Sequence, residues 1–222
     1  MSLWIKICGN TTLDDARTAA AAGADALGFV FAPSPRQVTV AQAAAIHKKL
    51  PAAVERIGVF VDASVDEIYA TVRGCGLTGV QLHFDVDDDF TARVRERLGP
   101  LLRILRMVHY GPEAPDQADR IAADGNTDGV LIDSRTPAAV GGTGLSFDWT
   151  TASYRLFHDA QAQKRIVAGG LTPWNVAEAI RTLHPWGVDV VSGVEEEPGT
   201  KDHDAVRTFI ANARAASREH SK

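Results

Sequence analysis

Hydrophobic and polar positions repeat along the chain in one order: a short apolar run, then a longer amphipathic segment. Eight apolar runs stand out, at 3–8, 26–31, 56–61, 79–83, 102–109, 129–133, 165–168 and 188–192. Most are rich in Val, Ile and Leu without clean polar alternation, which predicts strands covered on both faces. The segments between them predict helices over 14–22, 41–50, 66–73, 90–98, 176–183 and 205–216. Thr39-Val40-Ala41-Gln42 and Ser64-Val65-Asp66-Glu67 read as capping boxes. Thr172-Pro173 reads as a cap followed by proline at the first helical position, where its missing N–H does no harm. Between the fifth and sixth runs, Gly111-Pro112 and Pro115 predict a helix that is short or irregular.

Eight strands in 222 residues leave about 28 residues per strand–helix unit, close to the least such a unit needs. The expected fold is therefore α/β: a single-domain (β/α)8 TIM barrel spanning residues 1–222. The alternative is a doubly wound open sheet. No glycine-rich dinucleotide fingerprint follows the first run, which weighs against it.

Composition narrows the function classes. The net charge of −5 comes without a basic block, so neither nucleic acid nor an anionic membrane is expected as a partner. Two cysteines, Cys8 and Cys75, make no disulfide framework, and the seven histidines are scattered, so no metal site is expected. No run is long enough to span a bilayer and no leader pattern is seen, so the expected location is the cytoplasm.

In a barrel, chemistry collects at the C-terminal ends of the strands and in the loops that follow. Cys8 ends the first run, Arg36 lies in the loop after the second, and His83 ends the fourth. Asp133 ends the sixth, where an unpaired carboxylate in apolar surroundings would be unfavourable. Gly169-Gly170 and Ser192-Gly193 follow the seventh and eighth, where glycine-bearing loops commonly hold phosphate. Gly142, Thr143 and Gly144 form a third flexible loop, after the sixth run. Position alone leaves each residue open to a plainer reading: Cys8 as a core thiol, His83 bonded to backbone, Arg36 solvated, Asp133 as a cap, the glycines as turns. The acidic stretches 87–89 and 195–197 read as solvated.

Taken together, the motifs resemble one family, phosphoribosylanthranilate isomerase of tryptophan biosynthesis. They are "KICGNT" (6–11), "GFVFAPSPRQV" (28–38), "GVFV" (58–61), "VQLH" (80–83), "LIDS" (131–134), "GGTGLSFDW" (141–149), "AGGLTPWNV" (168–176) and "GVDVVSGVEEEPGTKD" (187–202). The resemblance implies a cofactor-free barrel, monomer or homodimer, acting on a small phosphorylated aminosugar. It would carry out an Amadori rearrangement of N-(5-phosphoribosyl)anthranilate as the third committed stage of that pathway. It further implies Cys8 as general base, Asp133 as general acid and Arg36 as the grip on the anthranilate carboxylate. Gly169, Gly170, Ser192 and Gly193 would bind phosphate, with His83, Asp189 and the loop 142–144 near the substrate. Rival barrel chemistries fit less well. A related histidine-pathway isomerase resembles a design with aspartate where Cys8 stands, and a Schiff-base aldolase needs a strand-end lysine. How the Cys8 thiol becomes basic stays open, since Lys6 is expected to lie one layer below it on the same strand face.

Overall fold

The apolar runs form eight parallel strands that close on themselves. They are β1 (Trp4–Ile7), β2 (Ala26–Val30), β3 (Glu55–Phe60), β4 (Gly79–Leu82), β5 (Arg103–His109), β6 (Gly129–Asp133), β7 (Arg165–Ala168) and β8 (Gly187–Val190). Each pairs with the next, and β8 returns to β1 in a register that sets Lys6 beside Asp189. The computed structural model describes residues 3–133, 155–157 and 160–219.

Seven helices are seen among the described residues: α1 (Leu13–Ala22), α2 (Val40–His47), α3 (Val65–Cys75), α4 (Asp88–Leu98), α5 (Ala114–Ala123), α6 (Val176–Leu183) and α7 (His203–Glu219). Both capping boxes form. Thr39 accepts from the Gln42 N–H and Ser64 from the Glu67 N–H, while each Gln or Glu side chain returns to the cap N–H. Such caps stabilise a helix by about 1 kcal/mol each. No helix among the described residues is long and apolar enough to cross a membrane.

Three expectations are corrected. Helix α5 is regular, because Pro115 falls in its first turn, where no intrahelical N–H is needed. Helix α6 starts later than Thr172-Pro173 implies. Asn175 is its cap, and Thr172 to Trp174 form a separate turn in which Asn175 Oδ1 accepts from the Thr172 N–H at 2.7 Å. The eighth strand ends at Val190. A short 3-10 turn, Ser192–Val194, then leads into an antiparallel hairpin of β9 (Glu195–Glu197) and β10 (Thr200–Lys201).

Alternate residues of each strand face opposite sides. Ile5, Ile7, Leu27 and Phe29 pack outward with helix residues such as Ala16, Ile68 and Phe209 in one large apolar cluster. Trp4, Ala26, Ile57, Leu105, Leu131 and Ile166 form a second cluster, inside the barrel. Continuing the inward face towards the C-terminal ends, Trp4 leads to Lys6 and Cys8, and Leu131 leads to Asp133. Apolar residues thus fill one end of the interior and polar residues gather at the other.

One buried histidine makes stability depend on pH. His47, in α2, has Nδ1 2.7 Å from the Cys75 carbonyl, its ring meets Phe29 edge-on, and Nε2 finds no partner among the described residues. Since a carbonyl only accepts, Nδ1 carries the proton and Nε2 is bare. Burial holds His47 below the usual histidine value, the Cys75 carbonyl opposing this and the Arg56 charge adding to it. The unfolded chain therefore binds this proton more readily, near pH ~6.5. Stability from neutral His47 is complete above that value and is lost as pH falls through the folded one. Melting temperature is expected to fall more steeply between about pH 7 and pH 5 in the wild type than in His47→Gln. Equal slopes in calorimetry would contradict this.

Candidate active site

The polar end of the barrel opens into a cavity of about 890 Å³, counting space open to solvent. Its lining draws on the C-terminal ends of β1, β2, β3, β4, β6, β7 and β8. Cys8, Arg36, His83, Asp133, Gly169, Gly170, Asp189, Ser192 and Gly193 all border it. Residues separated by up to 185 positions in sequence thus share one space. Gly142, Thr143 and Gly144 lie outside the described residues.

Cys8 is placed by its neighbours on both sides. Its N–H donates to the Val190 carbonyl of β8 at 2.9 Å, and the chain then turns as Gly9 and Asn10 N–H groups both donate to the Gly28 carbonyl of β2. The Asn10 side chain donates to the Ile7 carbonyl at 2.8 Å and fastens that turn. A Cβ at Gly28 would come within 2.4 Å of the Cys8 sulfur, so only glycine on β2 lets the thiol occupy this place. Burial pushes the Cys8 thiol up from its ordinary value, with Lys6 and Lys201 acting against it and Asp189 with it.

Beneath the opening lies a buried polar row that local sequence spacing does not announce. Lys6, fully buried, donates to Asp189 Oδ1 at 2.9 Å and to Gln81 Oε1 at 2.8 Å. Because an ammonium only donates, the Gln81 oxygen must face Lys6, which turns its NH2 towards His83 Nδ1, 3.3 Å away. That nitrogen is therefore the acceptor, leaving His83 neutral with its proton on Nε2. Burial lowers the His83 value further, with the charges of Asp133 and Asp189 opposing and His109 and Lys6 assisting. His83 thus borders the cavity as an imidazole rather than bonding backbone through its ring.

Asp133 ends β6 and is buried at the cavity wall, its carbonyl accepting from Tyr110 N–H at 2.9 Å. Beside it, past β7, whose Ala168 pairs with Asp133, the loops after β7 and β8 touch. A Cβ at Gly193 would fall 1.8 Å from the Leu171 carbonyl oxygen, so glycine is required for the two loops to meet. Gly169 and Gly170 both have left-handed φ, 81° and 65°, and Asn175 Nδ2 donates to the Gly170 carbonyl at 2.9 Å.

Arg36 is less available than its loop position implies. Its Nε and Nη2 bind Glu195 Oε1 and Oε2 at 2.8 and 2.6 Å in a two-pronged pair, leaving Nη1 unengaged among the described residues. The Glu195 side chain is 3% exposed and also accepts from Lys201 at 3.0 Å. Glu195 is therefore not a solvated surface group. Although burial works against ionisation, bonds to Arg36 and the charge of Lys201 hold its carboxyl below the usual range. The sequence signal for this pair was faint: a β9–β10 hairpin of three plus two residues inside an acidic stretch. Among the described residues no group of three or more His, Cys, Asp and Glu side chains is arranged to hold a metal ion.

Comparison with known proteins follows the same lines. Residues 5–212 match the family model for N-(5'-phosphoribosyl)anthranilate (PRA) isomerase. An N-(5'-phosphoribosyl)anthranilate isomerase of Trichlorobacter lovleyi is 42% identical over 213 residues, covering 96% of this chain and 98% of its own. A crystal structure of phosphoribosylanthranilate isomerase in complex with reduced 1-(o-carboxyphenylamino)-1-deoxyribulose 5-phosphate superposes with a TM-score of 0.79 at 33% identity, covering 96% of this chain and 99% of the other. Monomers generated from the dimeric enzyme of Thermotoga maritima superpose with the same TM-score, 0.79, at 33% identity and the same coverage, 96% and 99%.

Proposed function

The chain belongs to the phosphoribosylanthranilate isomerase family, and from that premise we propose that it converts N-(5-phosphoribosyl)anthranilate to 1-(2-carboxyphenylamino)-1-deoxyribulose 5-phosphate by a cofactor-free Amadori rearrangement. This is the third committed stage of tryptophan biosynthesis, and the chain carries it out in the cytoplasm as one domain, monomeric or paired as its Thermotoga maritima relative is described. The observation that supports it most is the convergence of Cys8 and Asp133 on one cavity from β1 and β6, with glycine loops of β7 and β8 at the same mouth.

Two proton transfers are needed. Asp133 gives its proton to the furanose ring oxygen, and the C1–O bond breaks to leave a Schiff base at C1. Cys8 as thiolate then takes the proton from C2. The electron pair of the C2–H bond becomes the C1=C2 bond as the C1=N π pair moves onto nitrogen, giving an enolamine that tautomerises to the ketone. Acid and base have to flank the sugar, as residues from β1 and β6 do. Backbone groups of Gly169, Gly170, Ser192 and Gly193 hold the phosphate, and His83 and Asp189 border the sugar. The loop 142–144 completes the same reading.

Arg36 binds the anthranilate carboxylate through the edge that Glu195 leaves open. A charge-assisted hydrogen bond contributes about 1.5–3 kcal/mol, so Arg36→Ala is expected to raise KM about tenfold or more and leave kcat nearly unchanged. A defect confined to kcat would remove Arg36 from the role of clamp. The reaction itself is tested by following the loss of anthranilate-adduct fluorescence with purified protein. Enzyme-dependent decay is expected, and a rate no higher than the spontaneous one would refute the proposal.

A further inference from the structure

We propose that Lys6 is a positioning residue for proton transfer at Cys8: anchored by Asp189 and Gln81, its ammonium turns its third hydrogen to the sulfur and stabilises the thiolate. The inference rests on the reading of Cys8 as the base and names the charge that most opposes the burial of its thiol.

The geometry differs from the one expected of a lysine a layer below. Lys6 and Cys8 share the inward face of β1, two positions apart. Both anchors of Lys6 border the cavity: Asp189, its register partner on β8, and Gln81, 75 residues away on β4. The ammonium is therefore drawn up to the floor of the site. It has three hydrogens and no acceptor capacity. Two hydrogens go to Asp189 Oδ1 and Gln81 Oε1, at 2.9 and 2.8 Å. The third has no partner among the described residues, and the Lys6 charge acts on the Cys8 sulfur two positions along the same strand face.

Stability alone does not account for this arrangement. Burying an ammonium and a carboxylate strips both of water, and apolar residues of similar volume commonly serve stability as well or better. The charges facing Cys8 are Lys6 from β1, Asp189 from β8, Lys201 from β10 and Arg36 from the loop after β2. Arg36 and Lys201 are both committed to Glu195, while Lys6 gives the largest single opposition to the burial of the thiol. Although burial lowers the proton affinity of Lys6, Asp189 and Cys8 more than restore it, so Lys6 stays an ammonium. In the reaction it transfers nothing. The S–H bond forms as the C2–H bond breaks, and the Lys6 hydrogen bond passes from an anionic to a neutral sulfur.

The test reads the thiol directly. In a Cys75→Ser background, the pH dependence of Cys8 alkylation by iodoacetamide is measured alongside turnover. Lys6→Met is expected to move the alkylation midpoint up by about one pH unit, equivalent to about tenfold less thiolate. It should lower kcat about tenfold or more with little change in KM, and Lys6→Arg should recover part of both. A merely structural lysine would change stability and leave the midpoint of the folded protein in place, and that result would overturn the proposal. If Lys6→Met does not fold, Lys6→Gln decides: an unchanged midpoint overturns it. Failure of the underlying reading is distinguishable, because Cys8→Ala would then keep near-full turnover whatever the midpoint does.

Discussion

Cys8→Ala is expected to lower kcat by about 10²–10⁴-fold, the range general acid–base groups contribute, while the substrate still binds. Removing the sulfur leaves Arg36 and the loops after β7 and β8 in place, so the groups assigned to carboxylate and phosphate are unaltered. What is lost is the acceptor for the C2 proton. The substitution also relieves no strain that could confuse the result, since Gly28 already makes room for the larger side chain. Stopped-flow fluorescence separates the two effects, with binding seen as a rapid change and turnover as a slow decay. Turnover close to that of wild type would remove Cys8 from the role of base.

The second large effect is expected for Asp133→Asn. The amide keeps the shape and the burial of the carboxyl but cannot deliver a proton to the ring oxygen. Here too kcat should fall by about 10²–10⁴-fold with binding retained. The substitution tests the acid more cleanly than alanine, which would open a void against the β5–β6 wall where Asp133 pairs in register with His109. Unimpaired turnover in a folded Asp133→Asn protein would mean that another group opens the ring.

The barrel was legible because its signals are local. Eight apolar runs, two capping boxes and the strand-end positions of Cys8, His83 and Asp133 can all be read within a few residues. The misreadings have equally local causes. Pro115 looks like a breaker unless its place in the first turn of α5 is known, and Thr172-Pro173 looks like a helix start although the helix begins only after Asn175. The electrostatic support of the site was not legible at all. Lys6 finds Asp189 across 183 residues and Arg36 finds Glu195 across 159. Only barrel closure, which sets β8 against β1, brings such groups together. Sequence spacing could say that Lys6 faces inward with Cys8, but not that two anchors draw its ammonium to the cavity floor. In the same way, an acidic run at 195–197 reads as solvated until the hairpin turns Glu195 beneath Arg36.

This chain is expected to act as a phosphoribosylanthranilate isomerase whose turnover depends on Cys8 and Asp133 together. The most direct test is growth without tryptophan of an auxotroph lacking this isomerase, supplied with the wild-type chain, Cys8→Ala or Asp133→Asn at matched levels of folded protein. The wild-type chain is expected to restore growth and each variant to fail. No rescue by the wild-type chain, or rescue by either variant, would contradict this.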